Sequence, residues 1–572
     1  MQGLFDTLPQ TTPEFLSWTW EQIEPFYAAL ETAPLTAATL DEWIAQWGRV
    51  GKHIDEAYWR LWADTTLHTL DDAVQAHFET FLRDVHGPAQ IAETRLKRKL
   101  LASGLQPANF EAPLRNMQAE ETIFREANLP LLIDEIQLGN VYDRVRSVQT
   151  VEWEGQETTL IQMAQVNFDP QRERREQAWR LSMARFLEDR AALNDLWTQL
   201  VDLRARIAAQ ADLPNYRAFR WQQMLRLDYT PDDCERFHDA VEQVVVPAAR
   251  RALERRRQRL GIDSVRPWDV EIEPQVRTAL RPFDSVAVLE QRIGAIFSQL
   301  DPQLGAYFQT MQRENLLDLE NRKGKMPSSY CATYPNARRP FVFMNVVGTH
   351  EDVMTLLHEC GHAFHSFEAT HLPHHEQLRI GTEFHEVAAT AMELLAAPYL
   401  GADCGGFYDP AELVRAQVEH LDIMLRFWPY VAVVDAFQHW AHTHPQDARD
   451  PAQCDQRWAT LWGRFMQGED WSGLDDAMMT GWHRKLHIFR SPFYYIDYGL
   501  AQLGAVQIWK RAQYDLPGAI QQYRAALALG GTRSLPDLFA AAGGRLAFDV
   551  TAFSEAVEMI ESMLADLETQ TG

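Results

Sequence analysis

The run HECGHAFH, residues 358–365, decides how the rest of this 572-residue chain is interpreted. It places two imidazoles and a carboxylate within five positions. On an α-helix, His358 and His362 are one turn apart and point the same way, so both rings can bind one metal ion. Glu359 would lie beside the open position of that metal, where it can take a proton from the attacking water. The pattern predicts the core of a zinc-dependent hydrolase.

The residues around this run favour a helix. Thr349 stands three positions before Asp352, which is the spacing of a capping pair at a helix N-terminus. Apolar residues recur along one side, and Pro373 is expected to end the helix. Cys360 falls about 200° round the helix from His358, so we expect its thiol to lie in the core without a chemical role.

A third metal ligand must come from elsewhere. His365 lies about 10.5 Å along the helix axis from His358, which bonds of about 2.1 Å to one zinc ion cannot span. The histidines of the following loop flank a proline and are expected to be solvated. They are His371, His374 and His375.

The run TEFHEVAATAMELL, residues 382–395, offers a better source. Glu386, Thr390 and Glu393 fall on one stripe of a helix, beside an apolar packing face. Carboxylates in such a position are costly unless they are paired or bound to a cation. We therefore predict Glu386 as the third ligand and Glu393 as the residue that orients one of the histidines, with Glu383 as the alternative ligand.

These residues resemble the thimet oligopeptidase and oligoendopeptidase F family of zinc peptidases, and oligoendopeptidase F is the closer branch. The resemblance rests on HECGH followed 24 positions later by Glu386, and it extends to PFVFMNVVGTHEDVMTLL upstream and HIFRSPFYYIDYGL downstream. Two features depart from the family: Ser328-Ser329 replace a glycine pair, and the tyrosine segment lacks the glycine-rich spacing of the thimet branch.

The resemblance implies a fold, a cofactor and a partner. The fold would be mostly α, with two helical lobes that enclose a deep cleft and a small β-sheet or hairpin beside the zinc-binding helix. The cofactor would be one Zn²⁺ per chain. The partners would be short peptide substrates.

The downstream segment HIFRSPFYYIDYGL carries a second group of candidates. Pro492 suits the first turn of a helix, so Tyr494 and Tyr498 would share a face, with Tyr495 about 100° round from Tyr494. Hydroxyls near a metal can donate to the oxyanion of a tetrahedral intermediate. By resemblance, Tyr498 and either Tyr494 or Tyr495 match the family's transition-state tyrosines, and His487 matches the histidine that precedes them.

Most of the remaining chain has helical patterns. We predict an N-terminal helical lobe at residues 1–185 and a catalytic lobe at residues 186–572. The main β element is a hairpin within residues 325–347, where SSYCATY and RPFVFMNVV flank PNARR. Its edge could pair with an extended peptide and hold the scissile amide whatever the side chains. A small hairpin or an extended link is predicted around Glu154-Gly155.

The amino-acid composition limits the classes of partner and the cellular compartment that the sequence predicts. The 80 acidic and 54 basic residues give a net charge of −26, which argues against nucleic acid or an anionic membrane as a partner. Five scattered cysteines without a CxxC pair, and a start without a basic and apolar leader, predict a cytoplasmic soluble protein with reduced thiols. These features do not define an oligomeric state.

The sequence thus predicts a zinc metalloendopeptidase that hydrolyses internal bonds of short unstructured peptides. Two alternatives stay open. A carboxypeptidase-like zinc exopeptidase would need a basic residue at one end of the cleft, and no sequence position identifies one. A non-catalytic helical peptide-binding protein would not require the aligned base Glu359.

Overall fold

The computed structural model describes residues 2–272, 280–322, 324–326 and 328–570. The described residues are mostly helical and form two small sheets, which confirms the prediction of a mostly α fold. It divides into two units: Met1–Glu126, Arg281–Leu413 and Gly504–Leu546 form the first, and Ala127–Leu280, Val414–Leu503 and Ala547–Gly572 form the second. The division at residue 185 is a different partition and stays a prediction.

The first unit contains the site predicted from the histidine motif. Its α-helices are Gln2–Phe5, Thr12–Phe15, Trp20–Thr32, Leu40–Leu67, Asp72–Phe81, Gly87–Ser103, Glu111–Ile123, Val286–Leu300, Pro302–Arg313, His350–Ala369, Thr382–Ala396, Leu516–Leu527 and Leu535–Ala541. A π-helical turn covers Leu82–His86, and 3₁₀ turns cover His375–Leu378, Ala397–Tyr399 and Ala402–Cys404. The N-terminal helices pack around buried aromatic and aliphatic side chains such as Phe26, Trp43 and Trp47.

The second unit is also helical. Its α-helices are Leu129–Ser147, Leu160–Ala164, Arg172–Glu188, Arg190–Gln210, Tyr216–Gln223, Pro231–Ala240, Val246–Leu260, Pro445–Ala448, Pro451–Phe465, Asp475–Met479, Leu486–Arg490 and Val550–Gln570. A π-helical turn covers Val241–Val245, and 3₁₀ turns cover Gln165–Phe168, Pro267–Asp269 and Gly481–Arg484. Helices Pro410–Thr443 and Tyr495–Ala512 and the 3₁₀ turn Glu126–Asn128 have residues in both units. No helix among the described residues is long and apolar enough to span a membrane.

Two consecutive helices of the first unit carry the predicted metal ligands. The histidine helix, His350–Ala369, begins at a capping box, in which the Asp352 N–H donates to Thr349 Oγ1 and the Thr349 N–H donates to Asp352 Oδ2 at 2.8 Å. This confirms the predicted start of the helix. The glutamate helix, Thr382–Ala396, follows it in the chain.

A three-stranded sheet packs beside the histidine helix. Its central strand, Arg339–Val346, pairs antiparallel with Tyr330–Tyr334 and parallel with Leu317–Glu320. The antiparallel pair confirms the predicted hairpin. The parallel strand was not predicted, because four alternating residues are too short to give a periodic signal. Tyr330–Tyr334 is an outer strand that makes no main-chain hydrogen bond outside this sheet with the described part of the chain.

The second unit contains one small hairpin among its described residues. Thr150–Trp153 pairs antiparallel with Gln156–Thr159. Glu154 and Gly155 between them have φ values of 54° and 79°. Positive φ at both positions is what a two-residue hairpin turn needs to match the twist of its strands. Of the two possibilities predicted here, the hairpin is therefore correct.

Candidate active site

His358, His362 and Glu386 each direct one donor atom toward a common point. These atoms lie within 4.8 Å of one another, and Glu386 Oε2 is 3.3 Å from His358 Nε2 and 3.9 Å from His362 Nε2. Donors around a tetrahedral zinc ion with bonds of about 2.1 Å are about 3.4 Å apart, so small side-chain adjustments suffice. Two imidazole nitrogens and one carboxylate oxygen are a donor set of catalytic zinc sites. The group fits a divalent metal ion.

Glu393 is in hydrogen-bonding contact with His358. Glu393 Oε1 is 2.7 Å from His358 Nδ1. A carboxylate in that position keeps a proton on Nδ1 and leaves Nε2 as the ligand atom. Burial alone would lower the pKa of His358, but its hydrogen bonds with Glu386 and Glu393 raise that pKa well above the ordinary value. This is the contact that the predicted orienting role of Glu393 requires.

Glu359 is a buried carboxyl group in the same helix turn. Its side chain is 5% exposed, and Oε2 has no hydrogen-bond partner among the described residues. Burial raises the pKa of Glu359 to about 8, and the charges of Glu386 and Glu393 add to the rise. A cation held by the neighbouring ligands would favour the carboxylate and lower this pKa again. A carboxyl group that titrates near neutral pH can both accept and return a proton.

His385 lies against the candidate metal-binding group and was not predicted from the sequence. Its ring stacks on that of His362, with centroids 4.1 Å apart and planes 11° apart. Burial lowers the pKa of His385 to about 4 and that of His362 well below its ordinary value. Both rings are therefore neutral, which is the form that binds metals. No spacing rule marks His385, although it directly precedes Glu386.

Gly361 allows the two ligand-bearing helices to approach closely. A Cβ at this position would lie 2.6 Å from Ala388 O and 2.6 Å from Ala389 Cα, both of which are backbone atoms of the glutamate helix. Any side chain would therefore push the helices apart. Because Gly361 directly precedes His362, this contact sets the separation of the two helices that carry the candidate ligands. A glycine inside a helix is a sequence signal for this kind of close packing.

We expect Gly361→Ala to lower the free energy of unfolding by about 1–3 kcal/mol, because the added methyl overlaps backbone atoms. The variant should also bind metal more weakly, since its ligands move apart. Thermal unfolding with and without zinc measures both effects.

Gly463→Ala is the matched control for this experiment. Gly463 also lies inside a helix, Pro451–Phe465, and nothing lies within 4 Å of an added Cβ. The change there should be neutral or stabilise the protein by up to about 1 kcal/mol. Equal destabilisation of both variants would contradict the close-contact interpretation of Gly361.

The other histidine and carboxylate candidates do not join the group. Glu383 and His365 are buried, but neither belongs to a potential metal-binding group in the described ranges. Cys360 is fully buried, as predicted. The prediction that His375 is solvated is wrong, because it is buried and its Nε2 lies 3.0 Å from Asp55 Oδ2.

The outer strand Tyr330–Tyr334 lies next to the histidine helix. Thr333 Oγ1 and Ser366 Oγ are 2.6 Å apart and join the two elements. Burial raises the pKa of the Cys331 thiol well above its ordinary value, and the charge of Glu359 raises it further. The Cys331 side chain of this strand is therefore within range of the charge of Glu359.

The downstream candidates form a cluster in the second unit. The ring centroid of His487 lies 5.9, 5.0 and 5.7 Å from those of Tyr494, Tyr495 and Tyr498, respectively. The hydroxyl of Tyr498 is 3.5 Å from His487 Nε2. Tyr495 is 4% exposed, whereas Tyr494 and Tyr498 are half-buried. The side chains of Tyr494 and Tyr498 are thus the more accessible to a substrate.

The helix that carries Tyr498 begins later than predicted. Pro492 was expected in its first turn, but the helix is Tyr495–Ala512. Phe493 has a φ of 66°, in the left-handed region, which a right-handed helix cannot include. Tyr494 therefore precedes the helix, yet its ring centroid is still 5.3 Å from that of Tyr498.

A second group of potential ligands is better explained as a buried hydrogen-bonded cluster. Donor atoms of Cys234, Asp435 and His439 lie within 4.8 Å of one another in the second unit. Asp435 Oδ2 is 2.9 Å from His238 Nε2, and Arg217 Nη1 donates to His439 Nδ1 at 3.2 Å. Arginine can only donate, so a neutral His439 carries its proton on Nε2, the atom that faces Asp435. That proton opposes metal binding.

Comparisons with known proteins give one family and several similar structures. The model of peptidase family M3 matches residues 166–558. No curated protein sequence gives a match. The structure of PZ peptidase A with inhibitor 2 is 25% identical with a TM-score of 0.89, over 98% of this chain and 99% of that chain.

Two further structures come from proteins provisionally named oligoendopeptidase F. The first is 25% identical with a TM-score of 0.88, over 98% of each chain. The second, from Bacillus anthracis str. Ames, is 22% identical with a TM-score of 0.84, over 96% of this chain and 97% of that chain. At that identity the second structure supports the fold alone.

Proposed function

Because the chain belongs to peptidase family M3, we propose that it is a zinc-dependent oligoendopeptidase that hydrolyses internal bonds of short, unstructured peptides. The observation that carries the proposal is the convergence of donor atoms from His358, His362 and Glu386 beside the buried carboxyl group of Glu359. A non-catalytic peptide-binding protein would need neither the aligned donors nor a buried base.

The residues of the chain would divide the chemistry among them. When bound, zinc would supply a Lewis acid that polarises the scissile carbonyl and makes water a stronger acid. Glu359 takes a proton from the attacking water and returns it to the nitrogen of the leaving amine. Glu393 keeps the proton of His358 on Nδ1. Tyr498, assisted by His487, donates a hydrogen bond to the oxyanion that forms as the carbonyl carbon becomes tetrahedral.

The outer strand Tyr330–Tyr334 favours a peptide in an extended conformation as the substrate. Among the described residues, the main chain of this strand makes no hydrogen bond outside its sheet, and the charge of Glu359 acts on the thiol of Cys331 in this strand. A peptide that adds to this edge would be held by its main chain, whatever its side chains. Most of the main-chain groups of a natively folded protein are already paired with one another, so few of its segments are free to add to this edge.

We expect cleavage at internal bonds of unfolded peptides of roughly 6 to 20 residues, because only an extended chain can pair along the strand edge. The measurement is a digest of a length series that shares one central sequence, with products identified by mass spectrometry. A globular protein, tested both native and unfolded, is the control. Efficient digestion of the native protein would contradict the proposal.

One observation bears on the exopeptidase alternative. Lys485 Nζ lies 4.3 Å from the ring centroid of Tyr495 and 5.1 Å from that of Tyr430, and burial lowers the pKa of Lys485 to about 8. Within the described ranges, this ammonium group has neither a hydrogen bond nor an ion pair. Its charge suits the C-terminal carboxylate of a peptide, a role for which no sequence position could be identified.

Amidation of the C-terminus in the same length series separates the two functions. The endopeptidase proposal expects kcat/KM to change by less than about twofold, since the terminal carboxylate is not recognised. The exopeptidase would be favoured if amidation lowered kcat/KM by about tenfold or more in the wild type but had no such effect in Lys485→Met.

Tyr498→Phe should lower kcat with little change in KM, because a donor to the oxyanion acts mainly in the transition state. Loss of one such donor costs about 2.7–4 kcal/mol in other enzymes. Steady-state kinetics of Tyr498→Phe, Tyr494→Phe and Tyr495→Phe on one peptide would identify the donors. An unchanged kcat for Tyr498→Phe would mean that Tyr498 only packs against its neighbours and does not donate to the oxyanion.

A further inference from the structure

Arginines of the second unit bind the main chain just ahead of the candidate tyrosines. Arg204 donates from Nη1 to Ile488 O at 3.0 Å and from Nη2 to Phe489 O at 2.6 Å. Arg220 Nε donates to Pro492 O at 3.3 Å. Arg204 is fully buried, so these carbonyl groups, which lie at the end of a short helix, have a guanidinium in place of water.

A third arginine acts on the strained residue of this segment. Phe493, with its φ of 66°, is fully buried and adopts a conformation that is costly for a bulky residue. Its carbonyl accepts from Arg226 Nη2 at 2.6 Å, and its N–H donates to Gln438 Oε1 at 2.8 Å. Arg226 also pairs with Asp497, and both of these side chains are 0% exposed. We call Arg204, Arg220 and Arg226 the arginine clamp.

The turn at Phe493 determines how two helices meet. His487 lies on the helix Leu486–Arg490 before the turn, and Tyr498 lies on the helix Tyr495–Ala512 after it. The distance of 3.5 Å between His487 Nε2 and the Tyr498 hydroxyl therefore depends on the backbone conformation between them. Backbone strain that the surroundings enforce is often found where a side chain must be held in place for function.

We propose that the arginine clamp positions the oxyanion donors for peptide hydrolysis, acting through the main chain of residues 488–493. This inference rests on the proposed function, because it takes Tyr498 to be a donor in the transition state. Arginine suits the task because its planar fork of N–H groups can bind two carbonyls at once, as Arg204 does, whereas lysine is a single point of charge. A shift of about 1 Å in a catalytic group can cost about 100-fold in rate.

The test uses Arg226→Lys in the full-length, zinc-loaded enzyme. We expect kcat to fall about 10- to 100-fold while KM stays within about twofold, because substrate binding is retained and the donors are displaced. Zinc content and melting temperature are measured on the same samples.

Arg175→Lys is the matched control. Arg175 is 2% exposed, donates to Trp268 O at 2.8 Å and pairs with Asp269 in the same unit, so it resembles Arg226 in burial and bonding. It does not contact residues 487–498. We expect its kcat to stay within about twofold of wild type even where its melting temperature falls. If kcat falls in proportion to the melting temperature in both variants, the arginine clamp only stabilises the fold, and the proposal is overturned.

A double-mutant cycle asks whether Arg226 acts through Tyr498. In the Tyr498→Phe background, Arg226→Lys should lower kcat far less than in the wild type, because the group that it positions is already absent. An equal fold-loss in both backgrounds would overturn the proposal.

Hydrogen exchange separates failure of this inference from failure of the oxyanion role. Arg226→Lys should speed exchange of amides within residues 487–494, and Arg175→Lys should not. If Tyr498→Phe keeps the wild-type kcat, the oxyanion role is wrong. If amide exchange is unchanged in Arg226→Lys, the positioning role of the arginine clamp is wrong, whatever the result for Tyr498→Phe.

If Arg226→Lys does not fold, Gln438→Met takes its place, because this change removes the acceptor for the Phe493 N–H. Gln438→Glu is then the variant that restores the acceptor.

Discussion

Glu359→Gln should keep one zinc ion per chain and lose nearly all turnover. The amide has almost the same size as the carboxylate, so His358, His362 and Glu386 stay in place, but it cannot accept a proton from the attacking water. General-base catalysis contributes about 10²–10⁴-fold, so we expect kcat to fall by that factor. Metal analysis of the purified variant and its kcat on a fluorogenic peptide measure the two quantities.

Glu351→Gln is the control for this change. Glu351 is exposed in the first turn of the histidine helix, so the same substitution alters the charge of that helix without reaching the site. Its kcat should match that of the wild type. Turnover close to wild type in Glu359→Gln would remove the base from the mechanism, and loss of zinc in that variant would mean that Glu359 supports the metal.

Glu386→Gln should strip the metal, whereas Glu383→Gln should not. Glu386 Oε2 is the oxygen that faces both histidines, and a neutral amide is a much weaker ligand than a carboxylate. Loss of a hydrogen-bond partner of a ligand costs about 10- to 100-fold in metal affinity. We expect the loss of the ligand itself to lower zinc affinity by more than this. Competition against a chromogenic chelator measures this affinity.

Glu383 is a stringent control, because both side chains are 3% exposed and lie one turn apart on the glutamate helix. Burial and the loss of one charge are therefore matched between the variants. If Glu383→Gln alone releases zinc, the ligand assignment is wrong.

The parts of this molecule that the sequence predicts well are those governed by local periodicity. The spacing of His358 and His362 and the stripe that joins Glu386 to Glu393 follow from the pitch of a helix, and the structure brings these residues together. The hairpin edge at Tyr330–Tyr334 also follows from short-range alternation.

The parts that the sequence did not predict depend on contacts between distant segments. The stacking of His385 on His362 depends on how two consecutive helices pack against each other. The burial of His375 depends on its contact with Asp55, which is far away in the chain. The late helix start at Tyr495 has the same origin, since Phe493 takes a left-handed backbone conformation that Gln438 and other groups distant in sequence maintain. No local pattern encodes such contacts.

The position of Tyr330–Tyr334 at the edge of its sheet also has a consequence for solubility. An unpaired strand edge can join the same edge of another copy, and the residues YCATY include no charge that would oppose this pairing. The net charge of −26 provides the opposition instead, because copies of the chain repel one another. Salt shortens the range of that repulsion from about 8 Å at 0.15 M to about 3 Å at 1 M. Concentrated salt should therefore promote aggregation through this edge, and an extended peptide bound there would protect against it.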